Sequence, residues 1–590
     1  MSSSRIINKY NKILDQFDSK DLAFSFGYAI KDKIQGIIDS IPKSATIAIR
    51  GGGMHTKKLL EMIDFSDKNI FAIFDKNKID DQICGYPVFS ASELPHKQVD
   101  YVIVSSYIFH KEIAAEVNRL KTNIIDFYSD NDADDFSLTA PFYDFFPTEG
   151  VLTHTVMNYF YLRHTSSPSD TAKLYDAMQV AVEMKDFVTF YNIVNHCDQK
   201  NDFVITIKAM VDDLLSAMKD EVQKRQQTDI ILFLTDAVGY KMLPLMPYLS
   251  SISHDGYYFS NSYTSTAFTY QTLRAILRGV LPIDDFDKTE ASANESNSLI
   301  IQYCLNHNYN FRYIGGEYSG ISPKFSEENY GCYPCNLTWW NSMMELLDSD
   351  NPVFFIVHFW TETHPPMNSP MLKERLSDLE LSLDSYQVKT SYLYMDNCLE
   401  MYNKVLGKKT QIYLSDHGDH LDVGELFWTD RKLHTYCFVT GEKIEQKTFD
   451  EMFLYLDFHK LLSHLIEPDK HSIEDIFSDI VTFQDVDIYG SDLIKWLTEH
   501  DQLNKVFSYR GARNAKYKYV INSLGKEWFY SYEKDGTEKE IAEINEDDLN
   551  MLKAAAGNQF LDVFEINKFV NTRRIYNMLS NKEQIDDEAK

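Results

Sequence analysis

Asp416 and His417 stand at the end of a short apolar run, Ile412-Tyr-Leu-Ser-Asp-His-Gly418. A carboxylate and an imidazole side by side are metal-type ligands, and the glycine after them marks a sharp turn. The pattern predicts a buried strand that delivers both groups at its C-terminal end, where open α/β sheets place their sites. Two ligands do not complete a metal site, so others must come from elsewhere in the chain. Asp229-Ile-Ile-Leu-Phe-Leu-Thr-Asp236 is a second strand ending in a carboxylate. Phe354-Phe-Ile-Val-His358 runs toward Glu362, His364 and Pro365-Pro366, a third strand leading to two histidines. Leu433-His434 precedes a fourth strand ending at Val439.

Between the first two of these strands lies a hydroxyl-rich stretch, Thr264-Ser-Thr-Ala-Phe-Thr269-Tyr-Gln-Thr272, followed by a helical run to Gly279. The free N–H groups and dipole at a helix N-terminus suit a phosphate or an ionised nucleophile. Taken singly, a carboxylate after a strand reads as a helix cap and a Ser/Thr cluster as a turn. Jointly, Asp, Thr, His, Asp-His and His at strand ends and a helix start are what a divalent cation and an activated hydroxyl require.

These elements must be positioned by a larger frame. At 590 residues the chain holds two to four domains by ordinary domain sizes. It is 44% hydrophobic and 25% charged, ordinary globular values. A formal charge of −30 excludes nucleic acid and anionic membrane as natural partners. An anionic substrate would then need local compensation, most simply by a metal ion. No apolar signal segment opens the chain and Val353 to Trp360 is too short to span a bilayer, so no transmembrane segment and a cytoplasmic location are expected. Seven cysteines in this length form no disulfide framework, and Cys332-Tyr-Pro-Cys335 reads as a turn with two thiols. The composition sets no oligomeric state.

Four regions are expected. Residues 1–135 begin helical and continue as a βαβ series, with strands at Ala45–Arg50, Ile70–Asp75, Tyr101–Ser106 and Asn123–Tyr128. Residues 136–225 form a helical connection, residues 226–545 alternate strand and helix again, and residues 546–590 read as a polar helical tail.

The order of the chemical elements over about 229–540 resembles the alkaline phosphatase superfamily, in its sulfatase-like branch. The resemblance implies an α/β fold, a mixed sheet sandwiched by helices. It implies Asp236, Thr269, Asp416 and His417 as metal ligands, with Thr269 also the nucleophile. His364 and His434 would bind substrate or a second metal. Arg513 to Ile521 and Glu527 to Tyr530 resemble the family's closing hairpin. Sulfatases carry a cysteine in a Cys-x-Pro-x-Arg setting; here Thr269-Tyr-Gln-Thr-Leu stands instead, which disfavours sulfate esters. A threonine nucleophile is similar to that of the phosphoethanolamine and phosphoglycerol transferases, and Ser265-Thr266 also resembles their nucleophile segment, so Thr266 stays as the alternative.

The expected activity is therefore transfer of a substituted phosphoryl group to a sugar or glycan through a phospho-threonine, with Zn²⁺, or else Mn²⁺. A cytoplasmic location favours a nucleotide-activated donor among phosphodiesters. The alternatives are a phosphodiesterase or phosphonate-ester hydrolase, and a non-catalytic glycan-assembly scaffold.

Gly51-Gly52-Gly53 after the first strand, with Asp75 and Ile83-Cys-Gly-Tyr-Pro-Val-Phe, resembles the Rossmann-like nucleotide-sugar domain of bacterial sugar acyltransferases. That resemblance implies a phosphate at the glycine turn and a ribose hydroxyl at Asp75, or a ligand-free scaffold of the same shape.

Overall fold

The structure is a computed structural model that describes residues 2–560 apart from 18–20, 77–80, 130–137, 147–153, 199, 282–283, 285–291, 316–319, 327–333, 361–368, 379–385, 419–425, 486–508, 524, 534–535 and 559. The chain clusters into two compact units, 8–212 and 1–7 with 213–590.

In the first unit, strands β1 (Thr46–Arg50), β2 (Asn69–Asp75), β3 (Gln82–Ile83), β4 (Tyr86–Ser90), β5 (Tyr101–Val104) and β6 (Asn123–Asp126) form one sheet in the order β3-β4-β2-β1-β5-β6. All pairs are parallel except the β3–β4 hairpin, which turns at Cys84-Gly85 with both residues at positive φ. Ala48, Ala72, Phe74, Val102 and Val104 bury one face against Ile113 and Val117 of helix His110–Val117. The expected helical stretch follows as His154–Ser166, Thr171–Glu183, Phe187–His196 and Asp202–Lys224.

The glycine turn after β1 is dictated by crowding. Gly51 has φ +117, and a Cβ there would lie 2.5 Å from the Ser105 carbonyl oxygen. Gly52 N–H donates to Asp75 Oδ2 at 2.7 Å, so Asp75 already braces the turn. Gly53 has open space around it. Beneath the turn His55 bonds Ser105 Oγ through Nδ1 at 2.9 Å and the Tyr128 hydroxyl through Nε2 at 2.6 Å.

Burial pushes the His55 pKa down from 6.5 to about 4. Between these values the unfolded chain binds a proton that the folded one refuses. Stability must therefore fall as pH drops through this window, by about 2–3 kcal/mol for this group. In urea titrations at pH 7 and pH 4.5, His55→Gln should show a smaller loss than the native chain; an equal loss assigns the acid sensitivity to other groups.

In the second unit, β7 (Ile230–Thr235), β8 (Tyr257–Tyr263), β9 (Asn310–Ile314), β10 (Val353–Phe359), β11 (Thr410–Ser415), β12 (His434–Thr440) and β13 (Lys447–Leu454) form a mixed sheet in the order β13-β8-β12-β11-β7-β10-β9. The strands β9, β10, β7 and β11 run parallel, while β12 is antiparallel to both its neighbours. Every residue of β7 is buried. One face, with Leu232, Leu234, Ile356 and Leu414, packs on helices Thr269–Arg278, Leu299–Asn306 and Phe458–Ile466. On the other face Phe233 stacks and Phe359 leans at an angle against Tyr402 of helix Tyr386–Leu406, which stacks on Trp339 of helix Cys335–Asp348. The α/β class and the helix-sandwiched mixed sheet are thus as expected.

A second, antiparallel sheet follows in simple order: β14 (Val481–Asp485), β15 (Tyr509–Arg513), β16 (Tyr517–Asn522), β17 (Glu527–Tyr532) and β18 (Glu538–Ile541). Its β16–β17 pair is the expected closing hairpin. Helix Glu546–Ala556 covers it through Leu552 and Ala556. Of the CxxC pair, Cys335 is buried at a helix start and Cys332 lies outside the described residues.

Candidate functional site

Strand register sets the site. Ser415 and Phe359 both pair with Thr235, so β11, β7 and β10 end level. The ladder then continues one step further: Asp236 N–H donates to Phe359 O at 3.0 Å, and Asp416 N–H donates to Thr235 O at 3.1 Å. Side chains alternate along a strand. Asp236 and Asp416 therefore share the face of Leu234 and Leu414, the face covered by the Thr269 helix.

That helix is held by its apolar side. Leu273, Ile276 and Leu277 are fully buried, each contributing about 1.5–3 kcal/mol. Gly279, at φ +69, ends the helix with its N–H on Ala275 O. Thr269, its first residue, donates from Oγ1 to Asp236 Oδ1 at 2.9 Å and lies 3.2 Å from His417 Nε2. His417 Nε2 is 3.8 Å from Asp236 Oδ1 and 3.4 Å from Asp416 Oδ2. The four side chains named from the sequence, Asp236, Thr269, Asp416 and His417, converge.

The local backbone keeps them there. His417 Nδ1 lies 2.8 Å from Gly418 O. A carbonyl only accepts, so Nδ1 carries a proton, and Nε2 faces the carboxylates and Thr269. Asp416 Oδ1 accepts from Ala237 N at 3.0 Å and from His417 N at 2.7 Å. Ala237 sits at φ +59, a sparsely populated conformation for a non-glycine residue. The Ser415 hydroxyl accepts from Val238 N at 2.9 Å and points back at Thr235 O. A Cβ on Gly418 would fall 1.8 Å from Arg431 O, so no side chain fits there.

Asp416 is wholly buried, yet among the described residues no hydrogen-bond donor reaches its Oδ2. Burial first, then the negative charge of Asp236, raises the Asp416 pKa well above the usual carboxylate range. Two carboxylates this close cannot both stay ionised without a compensating charge. A divalent cation supplies it, and carboxylate oxygens with imidazole nitrogen are ligands that Zn²⁺ or Mn²⁺ accepts. The donor set fits the group that the sequence implied.

Thr266 is placed differently. Its Oγ1 bonds Phe268 O and Thr272 Oγ1, both at 3.1 Å, inside the turn before the helix. His434 sits between two aromatic rings, 4.4 Å from that of Tyr240 and 4.8 Å from that of Tyr263. Its Nε2 faces Ser260 O at 3.0 Å. Behind it, Arg513 stacks on Tyr263 and on Tyr532 and pairs with Asp430. His364 lies outside the described residues. Gly51, Gly52, Gly53 and Asp75 belong to the other unit.

The sequence reading passed over His358 as a ligand. One ring nitrogen of His358 lies within 4.8 Å of a carboxylate oxygen of both Asp236 and Asp416. The signal was strand parity: His358 pairs with Leu234, so it faces the side that carries Asp236.

Residues 43–124 match the family described as C2185-like, N-terminal. No curated protein matches the chain. Among solved structures, a protein in the alkaline phosphatase superfamily from Vibrio parahaemolyticus overlaps with a TM-score of 0.42 at 16% identity, covering 59% of this chain and 94% of its own. The phosphonate monoester hydrolase SpPMH from Silicibacter pomeroyi overlaps with a TM-score of 0.39 at 10% identity, covering 57% and 97%. Overlaps of this size carry no functional argument, which rests on the site itself.

A cation relieving the Asp236–Asp416 repulsion must stabilise the fold, by about 2.7 kcal/mol at a hundred times its dissociation constant. Thermal melts with added Zn²⁺ or Mn²⁺ should show this gain, and it should shrink as pH falls because protons compete at the raised Asp416 carboxyl. Asp416→Asn should remove it; an undiminished gain in that variant places the cation elsewhere.

Proposed function

We propose that the chain is a metal-dependent enzyme of the alkaline phosphatase superfamily. We read it as moving a substituted phosphoryl group, of phosphoethanolamine or phosphoglycerol type, to a sugar or glycan hydroxyl. The observation that carries this is the placement of Thr269, a hydroxyl at a helix N-terminus 2.9 Å from Asp236 and 3.2 Å from His417. A free threonine hydroxyl is a weak nucleophile and needs an adjacent base or a cation.

Asp236, Asp416, His417 and Thr269 would hold the metal, which when bound lowers the hydroxyl's pKa and offsets charge on the phosphoryl oxygens. Thr269 Oγ1 forms a bond to phosphorus as the bond from phosphorus to the donor's leaving oxygen breaks. Asp236 is placed to take the hydroxyl proton. His434 and His364 are the proposed partners of the transferring group. The leaving oxygen takes a proton from His434 or His364. The acceptor oxygen then bonds to phosphorus as the bond from phosphorus to Thr269 Oγ1 breaks; Asp236 returns its proton to Oγ1, and the acceptor's proton goes back to the histidine. Thr269 standing where sulfatases carry their cysteine supports a phosphate rather than a sulfate ester.

The donor we favour is nucleotide-activated, in keeping with a cytoplasmic setting. No helix among the described residues is long and apolar enough to cross a membrane. Gly51 to Gly53 with Asp75 are the proposed nucleotide or nucleotide-sugar contacts, and calorimetry with CDP- and UDP-linked compounds tests them.

Bis(4-nitrophenyl) phosphate tests the central assignment. Thr269→Ala should lose turnover by on the order of 10³-fold or more, with metal content retained. Thr266→Ala should stay within a few-fold. The reverse result moves the nucleophile to Thr266. Adding an alcohol acceptor separates the two outcomes of the second step: phosphoryl transfer to the alcohol supports the transferase, and water alone as acceptor makes the protein a phosphodiesterase.

A further inference from the structure

The edge strand β9 reaches the site through His358. The Tyr313 hydroxyl lies 2.7 Å from His358 Nδ1. Tyr313 is wholly buried, and its backbone N–H is pinned to Phe325 O at 2.8 Å. Two residues on, Gly315 presses its backbone on the same histidine. A Cβ there would fall 2.9 Å from His358 Cβ and 3.0 Å from its carbonyl oxygen. The Trp360 indole N–H donates to Gly315 O at 2.7 Å and fastens this end of β9 over β10. The Tyr313 hydroxyl thus holds the ring, while Gly315 crowds the Cβ and backbone of the same buried histidine.

We propose that Tyr313 is a positioning residue that sets the tautomer of His358, and that His358 presents Nε2 to the cation between Asp236 and Asp416. This rests on the metal-site reading above. The imidazole gives its Nδ1 proton to the tyrosine oxygen, so the lone pair of Nε2 is directed away from β9. Histidines that bind metal hold their other ring N–H in such a bond, and its loss costs on the order of 10–100-fold in affinity. The bland alternative is a core histidine whose tyrosine partner only satisfies a buried polar group. Both explain the hydrogen bond. Only the first explains why a ring nitrogen lies within 4.8 Å of a carboxylate oxygen of both Asp236 and Asp416, in a group of three metal-type ligands that are all buried.

The full chain, stripped of metal, is titrated with Co²⁺ against a competing chelator, and its visible absorption is recorded. Tyr313→Phe removes one oxygen and keeps the ring, and its near-UV circular dichroism without metal reports intact packing. His358→Gln removes the nitrogen base, and Asp416→Asn serves as the site control. The expected result is Co²⁺ binding weakened about 10-fold in Tyr313→Phe and more in His358→Gln, with a shifted Co²⁺ spectrum in both. Native affinity and spectrum in both variants, with binding lost in Asp416→Asn, overturns the role of His358 and leaves the metal site standing. Native affinity in all three, Asp416→Asn included, overturns the metal site and this proposal with it.

Discussion

Two carboxylates buried side by side govern this unit. Asp236 and Asp416 leave adjacent parallel strands at the same level, each held by a backbone bond to its neighbour's last carbonyl. In so poorly screened an interior the pair does not hold two negative charges by itself, and the Asp416 pKa is raised accordingly. Nearby polar groups are arranged around the pair: the Thr269 hydroxyl on one oxygen, two backbone N–H groups on another, and His417 Nε2 facing both residues. Such an arrangement is useful when a cation completes it.

The sheet supplies the precision and the helix supplies the reagent. Level strand ends fix the acids to within the tolerance of a backbone ladder, which is stiffer than any loop. The hydroxyl arrives on a helix whose three buried aliphatic side chains lock it to the face that carries the acids. Ala237, at positive φ, turns the chain directly after Asp236.

Much of this was legible in the residues. Strand ends at Asp236 and Asp416 followed from apolar runs cut short by charge, and the helix to Gly279 from its periodicity and its glycine stop. The residues favoured Thr269 over Thr266 without deciding between them, because both precede the same helix. Only the turn geometry, with Thr266 bonded to Thr272, puts Thr269 alone beside Asp236. His358 was missed because it sits inside an apolar strand, where a histidine reads as core. Counting alternate residues back from Asp236 across the register would have turned it inward. In the N-terminal unit the Asp75 carboxylate pointed to a ribose on sequence grounds, while the fold first uses it to brace Gly52.

Gly418 has a wider implication. Its α-carbon lies against the Arg431 carbonyl, and its N–H is tied to Lys432 O at 2.7 Å. The segment leaving the metal-type ligands is thereby stitched to the one entering β12. Neither strand can shift its register without tearing the other's anchor. Substitutions in 415–418 and in 431–434 are therefore coupled in their cost, since a change in either segment is felt by the other.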